Sequence, residues 1–321
     1  DWSSDVCSSD LQMIITVTLN PAIDKTIEID NFKIGNVNRI TSTRVDVGGK
    51  GINVSKVIKV LKHKSLALGF VGGNSGNQIK EYLNDSNIDN DFLSVNGETR
   101  TNIKIFDKVN NTHTDINENG PSVTIDNIAN IKRKIIEYCS EKSLVILSGS
   151  VPSGVSSNIY GEIINDIKSK GGRVILDADG DMLMQGIKAG PYIVKPNVCE
   201  LEKAFGISID SEEEIIETAK KILKYGVKFV VISQGSEGSL VISQDKIAKV
   251  VGLKVEVKST VGAGDSMVAA MAVGIENNYS FEETMKLACA TSAANVMTEG
   301  TQTGRLIDIE ELKKEVTIKY L

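Results

Sequence analysis

The chain has 321 residues, of which 41% are hydrophobic and 24% are charged, and its formal net charge is −6. These values are those of an ordinary globular protein with one large domain or two smaller ones. The weakly acidic balance argues against a nucleic-acid partner, and no apolar run approaches the roughly 18 residues of a membrane span. Four widely spaced cysteines fit free thiols in the cytoplasm.

Residues 1–12 differ in composition from the rest of the chain. They are rich in Ser and Asp and lack the basic start and apolar stretch of a signal peptide. Met13 is followed at once by the apolar run Ile14–Leu19. We therefore expect a non-native or disordered extension over 1–12 and a single domain over 13–321.

From Met13 onward, short apolar runs alternate with amphipathic segments. The apolar runs predict strands at Ile14–Leu19, Leu66–Val71, Asn102–Phe106, Leu144–Leu147, Arg173–Asp177, Tyr192–Lys195, Phe229–Ser233 and Val250–Val257. Helices are predicted at Ile52–Leu61, at Ile125–Tyr138, from the capping box at Ser211 to near Gly226, and at Ser266–Gly274. This order predicts a doubly wound α/β sheet in three layers, with ligands at the carboxyl ends of its strands.

Two regions break the alternation, at about 26–47 and 102–117. Both are strand-like but more polar, and neither contains a helix between its strands. We expect them to form a small antiparallel sheet outside the core, placed to act as a lid over a ligand cleft. Two ordinary hairpins are the alternative.

The most informative segment is Ser259–Met267. Its Gly262-Ala263-Gly264 turn opens a helix, so free backbone amides can approach an anion closely. Asp265 follows in the same turn, where the helix dipole is expected to lower its pKa. An anion site beside a carboxylate suits phosphoryl transfer to a hydroxyl. A glycine turn with Asp265 as a helix cap is the alternative.

The segment Gly48–Asn53 opens the first predicted helix. Its glycines bring backbone amides close to a ligand, and Asn53 lies on the first turn. It matches neither the phosphate-binding Gly-Lys-Ser/Thr motif nor the dinucleotide Gly-x-Gly-x-x-Gly motif. Asp24, just past the first strand, is placed to bind sugar hydroxyls, and Arg100 suits a phosphate. The alternatives are tight packing for Gly48–Asn53, a local turn for Asp24 and a solvated charge for Arg100.

Three later strands also end in polar or glycine-rich segments. Ser148 ends one strand within Ser-Gly-Ser-Val-Pro-Ser-Gly, which is either a ligand-facing strand end or a tight turn. Lys195-Pro-Asn197, with Glu200, ends the strand predicted at Tyr192–Lys195. The latter combination suits nucleotide phosphates with Mg²⁺, or else a helix start with its first-turn acid. Ser233, Gly235 and Gly238 lie in a glycine turn between strands, for which a simple hairpin is the favoured interpretation when the segment is taken alone.

Together these motifs resemble the ribokinase-like (PfkB) carbohydrate kinases from about Met13 to the end of the chain. Further similarity lies in Thr18–Asp24, Glu98–Lys104 and Thr114–Asn117, the last followed by Gly120-Pro121. These segments are most similar to the bacterial subfamily that phosphorylates fructose 1-phosphate, and nearly as similar to the one that acts on tagatose 6-phosphate. Another sugar kinase of the family and a non-catalytic sugar or nucleotide sensor are the remaining alternatives.

The resemblance implies a cytoplasmic enzyme that uses ATP and Mg²⁺ to make fructose 1,6-bisphosphate, and a homodimer formed through the lid. It implies that Asp265 is the general base and that Gly262, Ala263 and Gly264 form the anion hole. The implied substrate-binding residues are Asp24, Gly48, Gly49, Lys50, Asn53, Arg100 and Ser148, with Arg100 and Lys50 meeting the phosphate that the sugar already carries. The implied nucleotide-binding residues are Lys195, Asn197, Ser233, Gly235, Gly238 and Asn295, and Glu200 serves Mg²⁺ directly or indirectly.

Overall fold

The structure is a computed structural model that describes residues 13–321, so the expected extension over 1–12 lies outside the described residues. The strands are β1 (Ile14–Thr18), β2 (Ala22–Ile29), β3 (Ile40–Gly48), β4 (Ser65–Val71), β5 (Asp89–Asn90), β6 (Leu93–Ser94), β7 (Arg100–Asp107), β8 (Thr112–Ile116), β9 (Leu144–Ser148), β10 (Arg173–Asp177), β11 (Ile193–Val194), β12 (Phe229–Ser233), β13 (Gly238–Ile242), β14 (Ile247–Val251) and β15 (Ile318–Tyr320). The helices are α1 (Lys50–Val60), α2 (Gly73–Asp85), α3 (Ile125–Tyr138), α4 (Ile159–Ser169), α5 (Gly180–Lys188), α6 (Val198–Phe205), α7 (Glu212–Leu223), α8 (Ala263–Glu276), α9 (Phe281–Val296) and α10 (Leu306–Lys313). None of these helices is long and apolar enough to cross a bilayer.

The central sheet contains 11 strands of the described chain, in the order β15-β14-β13-β12-β11-β10-β9-β1-β4-β5, with β6 also paired to β4. Pairing is parallel from β4 through β1 to β12 and antiparallel from β12 to β15. The chain leaves β1 toward β4 on one side and later continues at β9 on the other. The carboxyl ends of β1 and β9 therefore flank a topological switch point, where ligands bind in such sheets.

Helices cover both faces of this sheet, and the strand sequences show why. Successive side chains of a strand point to opposite faces. Val145 and Leu147 of β9 pack into the apolar cluster that includes α3 to α7. Leu144 and Ile146 pack into a second cluster with α1, α8, α9 and α10. Because β9 is buried on both faces, its sequence is continuously apolar, and the prediction of a doubly wound, three-layer α/β fold is confirmed.

A second sheet of four strands, in the order β3-β2-β7-β8, stands beside this core. Ile23 and Val47 anchor it to Ile79 and Leu83 of α2. The expectation of a wholly antiparallel lid was wrong, because β2 and β7 pair in parallel from Ala22↔Arg100 onward. The two hairpins β2–β3 and β7–β8 are antiparallel, but no short turn joins them, so local connectivity does not set the direction of the central pair.

The predicted strand over Val250–Val257 was also wrong in its extent. Strand β14 ends at Val251, and no regular structure follows until α8. Instead of pairing with a strand, Lys258 and Ser259 donate their backbone N–H groups to the Val296 carbonyl at the end of α9, at 2.8 and 3.2 Å. The glycine turn before Asp265 is thus approached by an irregular segment tied to α9.

Candidate active site

Helix α1 begins directly above the carboxyl ends of β1 and β9, as its glycine-rich start predicts. Gly49 is its N-cap and has a φ of 115°, in the left-handed region that favours glycine. A Cβ on Gly51 would lie 2.4 Å from Thr18 Oγ1 and 3.3 Å from Ser148 Oγ. Only glycine allows the helix to approach the strand ends this closely.

Asp265 occupies the first turn of α8 and is buried, with 6% of its surface exposed. Asn53 Nδ2 donates a hydrogen bond to Asp265 Oδ2 at 2.9 Å, which joins the first turns of α1 and α8. The expected lowering of the Asp265 pKa by the helix dipole was wrong. Burial, and then the nearby Asp177 carboxylate, raise the pKa of Asp265 to about 6 against the opposing influence of Lys50, Asn53 and Lys195.

Asp177, at the end of β10, is the buried centre of this site. Its Oδ1 accepts a hydrogen bond from Lys50 Nζ at 3.1 Å and lies 3.4 Å from Lys195 Nζ, while its Oδ2 has no partner among residues 13–321. Burial opposes ionisation of Asp177, but Lys195 and Lys50 outweigh it and hold the pKa of Asp177 below its usual value. Burial likewise works against the charge of Lys50, yet Asp177, Asp265 and Glu200 raise the pKa of Lys50. The site thus carries two ammonium groups and two carboxylates.

The turn before α8 has the geometry of an anion hole. Gly262 is the N-cap, with a φ of 81°. Within residues 13–321, the backbone N–H groups of Gly264 and Asp265 find no acceptor. The Lys195 ammonium lies against this turn, since a Cβ on Gly264 would be 3.1 Å from Lys195 Nζ. An anion here meets backbone amides, the positive end of the helix dipole and an ammonium group.

Asp24 lies on β2 of the lid rather than in a turn after the core strand. Asn102 Nδ2 and Lys104 Nζ, both on β7, donate to its two oxygens at 2.9 and 3.1 Å. A Cβ on Gly48 would be only 2.6 Å from Asp24 Oδ2, so glycine makes room for the carboxylate. The carboxylate is held at the base of the lid, against Gly48, which lies two residues before the start of α1.

Arg100 begins β7 and is not the solvated loop charge of the alternative interpretation. Its guanidinium donates to the Asn20 carbonyl at 2.9 Å and at longer range to the Glu118 carbonyl, at 3.5 Å. Burial lowers the pKa of Arg100, against the influence of Asp24. Arg100 Nε, Asn20 Oδ1 and Asn102 Oδ1 are buried without partners in the described chain, so this pocket presents unused donors and acceptors. Lys50 forms its ion pairs with Asp177 and Glu200, not with groups of this pocket.

Asn197 and Glu200 form a capping box at the start of α6. Glu200 N donates to Asn197 Oδ1, and Asn197 N donates to Glu200 Oε2, both at 2.8 Å. This is the helix start that sequence analysis gave as the alternative. The other oxygen, Glu200 Oε1, faces Lys50 Nζ at 3.8 Å, so the cap also aims a carboxylate at the site.

The segment from Ser233 to Gly238 turns from β12 into the antiparallel β13, as the hairpin interpretation held. Ser233 pairs with Asn197 in an isolated parallel bridge, which brings the turn beside the α6 cap. Gly235 has open space around it, whereas a Cβ on Gly238 would lie 2.0 Å from the Val250 carbonyl oxygen. Close packing therefore suffices to require glycine at 238.

Asn295, near the end of α9, is buried beside the anion hole. Its Oδ1 would be 3.3 Å from a Cβ on Gly262, and its Nδ2 donates to the Gln302 carbonyl at 2.7 Å. Asn295 thus links the turn before α8 to the loop after α9.

Comparison with known proteins agrees with this geometry. Residues 17–308 match the pfkB family of carbohydrate kinases. The chain belongs to this family. A 1-phosphofructokinase of Borreliella burgdorferi is 35% identical over 94% of this chain and 96% of that protein. A tagatose-6-phosphate kinase of Staphylococcus epidermidis is 30% identical over 95% of this chain and 99% of that protein. The structure of phosphofructokinase-2 from Escherichia coli in complex with potassium superposes with a TM-score of 0.90 at 27% identity, covering 95% and 99% of the two chains.

Sequence analysis of this pfkB kinase missed four polar residues of the site: Asp177, Asn20, Asn102 and Lys104. Asp177 ends an apolar strand, the same signal that selected Ser148. Asn102 and Lys104 follow Arg100 at a spacing of two, which places all three on one face of β7. This alternation in the sequence is the signal that could have identified Asn102 and Lys104.

Proposed function

We propose that this carbohydrate kinase transfers the γ-phosphoryl group of ATP to fructose 1-phosphate and forms fructose 1,6-bisphosphate. The observation that carries the proposal is the buried Asp265, whose pKa is raised to about 6, beside unpaired amides at the start of α8. A carboxylate with such a pKa is ionised at neutral pH yet basic enough to accept a proton. The anion hole beside it suits the transferring phosphoryl group.

In the proposed reaction, Asp265 takes the proton of the acceptor hydroxyl. As the hydroxyl oxygen bonds to the γ-phosphorus, the bond from that phosphorus to the β,γ-bridging oxygen breaks and ADP leaves. The turn Gly262–Gly264 and Lys195 stabilise the charge on the phosphoryl oxygens, and Asn53 fixes the orientation of Asp265. Together with Lys195, Lys50 binds the nucleotide phosphates while it remains paired with Asp177.

The residues present fit Mg²⁺ as a partner of the nucleotide. Asp177 Oδ2 has no partner in the described chain, and Glu200 Oε1 faces the same cluster. No group of three or more His, Cys, Asp or Glu side chains among residues 13–321 is arranged to hold a metal alone. Mg²⁺ is typically held by one or two carboxylates with phosphate oxygens and water, so Glu200 and Asp177 suffice. Bound there, Mg²⁺ neutralises phosphate charge.

We place the acceptor sugar between the lid and α1. Asp24, Gly48 and Gly49 border its hydroxyls, Ser148 Oγ offers a further unpaired hydroxyl, and Arg100 binds its phosphate. Ser233, Gly235 and Gly238, with Asn197 and Asn295, are proposed to border the nucleotide. The identity of the sugar is supported by relatives named as 1-phosphofructokinases. The similarity to tagatose-6-phosphate kinase keeps tagatose 6-phosphate as the second candidate.

The deciding experiment measures ADP release from Mg·ATP with fructose 1-phosphate, tagatose 6-phosphate, fructose 6-phosphate and free fructose in parallel. We expect the highest kcat/KM with fructose 1-phosphate. A preference for tagatose 6-phosphate would replace the substrate and retain the mechanism. Binding of ATP without turnover of any sugar would contradict the enzymatic proposal and favour a sensor.

Arg100→Ala is expected to raise the KM for the phosphosugar by roughly 10- to 100-fold, because a hydrogen-bonded charge pair contributes about 1.5–3 kcal/mol. The KM for ATP should stay nearly unchanged. Steady-state kinetics with each substrate varied in turn provides the measurement. Arg133→Ala, which alters an exposed arginine of α3, is the matched control. An unchanged phosphosugar KM in Arg100→Ala would show that the phosphate binds elsewhere.

We also propose a cytoplasmic homodimer formed through the lid. Cys139, Cys199 and Cys289 are free thiols, as expected in a reducing compartment. The edge strands of the lid expose apolar side chains, with Val45 of β3 56% and Ile116 of β8 52% exposed. Burying them against a second copy removes this apolar surface from water.

Val45→Asp combined with Ile116→Asp is therefore expected to shift the protein from dimer to monomer in sedimentation analysis. Ile307→Asp, at an equally exposed isoleucine of α10, is the control and should leave the dimer intact. A wild-type protein that sediments as a monomer, or a dimer that resists the double substitution, would contradict this assembly.

A further inference from the structure

A cavity of about 430 Å³ lies outside the active site, between α1, α2, the end of β3 and the loop that follows α9. Lys56 and Lys59 of α1, Tyr82 of α2, Asp46 of β3 and Thr301 of the loop are among its lining residues. None of them has a part in the mechanism proposed above.

Lys56 is the unusual member of this lining. Only 8% of its surface is exposed, although lysine is rarely buried without an acidic partner. Its ammonium group donates to the Val47 carbonyl and lies 5.1 Å from the centre of the Tyr82 ring. No carboxylate of residues 13–321 forms an ion pair with it, and burial lowers its pKa to about 8 despite the influence of Asp46, Asp24 and Asp265. An ammonium group has three donors, and one is used here.

The other lining residues do not compensate the positive charge of Lys56. Asp46 accepts from Arg44 Nε at 2.8 Å, so its charge is already compensated. Lys59 adds a second, exposed ammonium group to the lining. Thr301 Oγ1 is buried and has no hydrogen-bond partner in the described chain. Two cations and a free hydroxyl around one cavity match a doubly charged oxyanion.

We propose that this cavity binds the phosphate group of a small molecule, held by Lys56, Lys59 and Thr301. Either inorganic phosphate or a small phosphate ester supplies this chemistry, and the volume leaves room for an organic part. The inference does not depend on which sugar the enzyme phosphorylates.

Residues that line the cavity are connected to two parts of the proposed active site, Asp24 and the turn before α8. Lys56 donates a hydrogen bond to the carbonyl of Val47, and the next residue, Gly48, packs against Asp24. On the other side, the Gln302 carbonyl accepts from Asn295, which lies against Gly262. A phosphate bound in the cavity would therefore lie between the two segments that position Asp24 and the turn before α8.

Calorimetric titration with inorganic phosphate tests the proposal on the whole chain. We expect Lys56→Met to weaken phosphate binding by about tenfold or more, the loss typical of a hydrogen-bonded charge. Thr301→Val removes the hydroxyl while keeping its shape, and we expect it to weaken binding to a smaller but measurable extent. It also carries the test if Lys56→Met fails to fold.

Two controls separate this cavity from the active site. Lys62→Met removes an exposed lysine outside the lining, and Arg100→Ala removes the proposed phosphosugar contact; both should retain phosphate binding at the cavity. A parallel titration with glycerol phosphate distinguishes the two candidate ligands. Glycerol phosphate that binds more tightly than inorganic phosphate indicates a phosphate ester, and equal binding of the two indicates free phosphate. Phosphate binding that is lost only in Arg100→Ala, or that is unaffected by both Lys56→Met and Thr301→Val, would overturn the proposal.

Discussion

Replacing Asp265 with Asn is expected to lower kcat by about 10²- to 10⁴-fold, the usual contribution of a general base. The Asn side chain keeps the size of Asp265 and can still accept the hydrogen bond from Asn53, so the first turns of α1 and α8 remain joined. The affinity for ATP should therefore change little. Single-turnover kinetics together with a direct measurement of ATP binding separates these two effects.

The pH dependence provides a second readout for Asp265. Its pKa of about 6 means that kcat in the wild type should fall as the pH drops through 6, because the protonated carboxyl cannot accept the proton. In Asp265→Asn this acid limb should disappear from the residual activity. Asp308→Asn, at a partly buried aspartate of α10 that is paired with Arg305 outside the site, is the control and should keep both rate and profile. Undiminished turnover in Asp265→Asn would rule out the proposed base.

Asp177→Asn is expected to be the most destabilising substitution in the site. Removing one partner of a buried charge cluster typically costs about 3–5 kcal/mol; here Lys195 would lose its ion pair with Asp177, and Lys50 would keep the longer one to Glu200, at 3.8 Å. Denaturant unfolding should show this loss in the free protein. Mg·ATP should restore part of it, because its phosphates are proposed to bind near the same two ammonium groups, and binding to the folded state stabilises it.

The fall of kcat at low pH, which is the acid limb of the rate profile, tests whether Asp177 acts on Asp265 in addition to supporting the fold. The Asp177 carboxylate raises the pKa of Asp265, so its removal should lower that pKa. More acid is then needed to protonate Asp265, and the midpoint of the limb should move to lower pH. Asp179→Asn, just beyond β10 and outside this cluster, is the matched control. A limb that stays near pH 6 in Asp177→Asn would contradict the coupling between the two carboxylates.

Sequence analysis found those parts of the fold that depend on local signals. The glycines before Lys50 and Asp265 predicted the two helix starts, since a positive φ and close backbone approach are properties of a few neighbouring residues. The continuous apolar runs of β9 and β10 likewise predicted buried parallel strands. The parallel pairing of β2 with β7 was not predictable in this way, because these strands are far apart in the chain.

The electrostatics of the site also depended on distant residues. The local dipole argument for Asp265 failed because burial and Asp177 act on it more strongly. Asp177 itself looked like any strand-terminal acid, and its importance appears only once the fold brings Lys50 to it across 127 positions of sequence. Lys50 was expected beside Arg100, but a sequence motif does not fix which partner a long side chain reaches.

The first turn of α1 has a consequence for which hydroxyl of a sugar reacts. Gly48 lies against Asp24 and Asn53 holds Asp265, so one rigid turn separates the carboxylate at the lid from the base. From Gly49 to Asn53 the rise of a helix is about 6 Å. In the proposed reaction, a sugar bound at Asp24 would therefore present to Asp265 only the hydroxyl that lies at this distance. If the sugar binds in this way, lengthening or shortening the turn should change the position of phosphorylation rather than its rate alone.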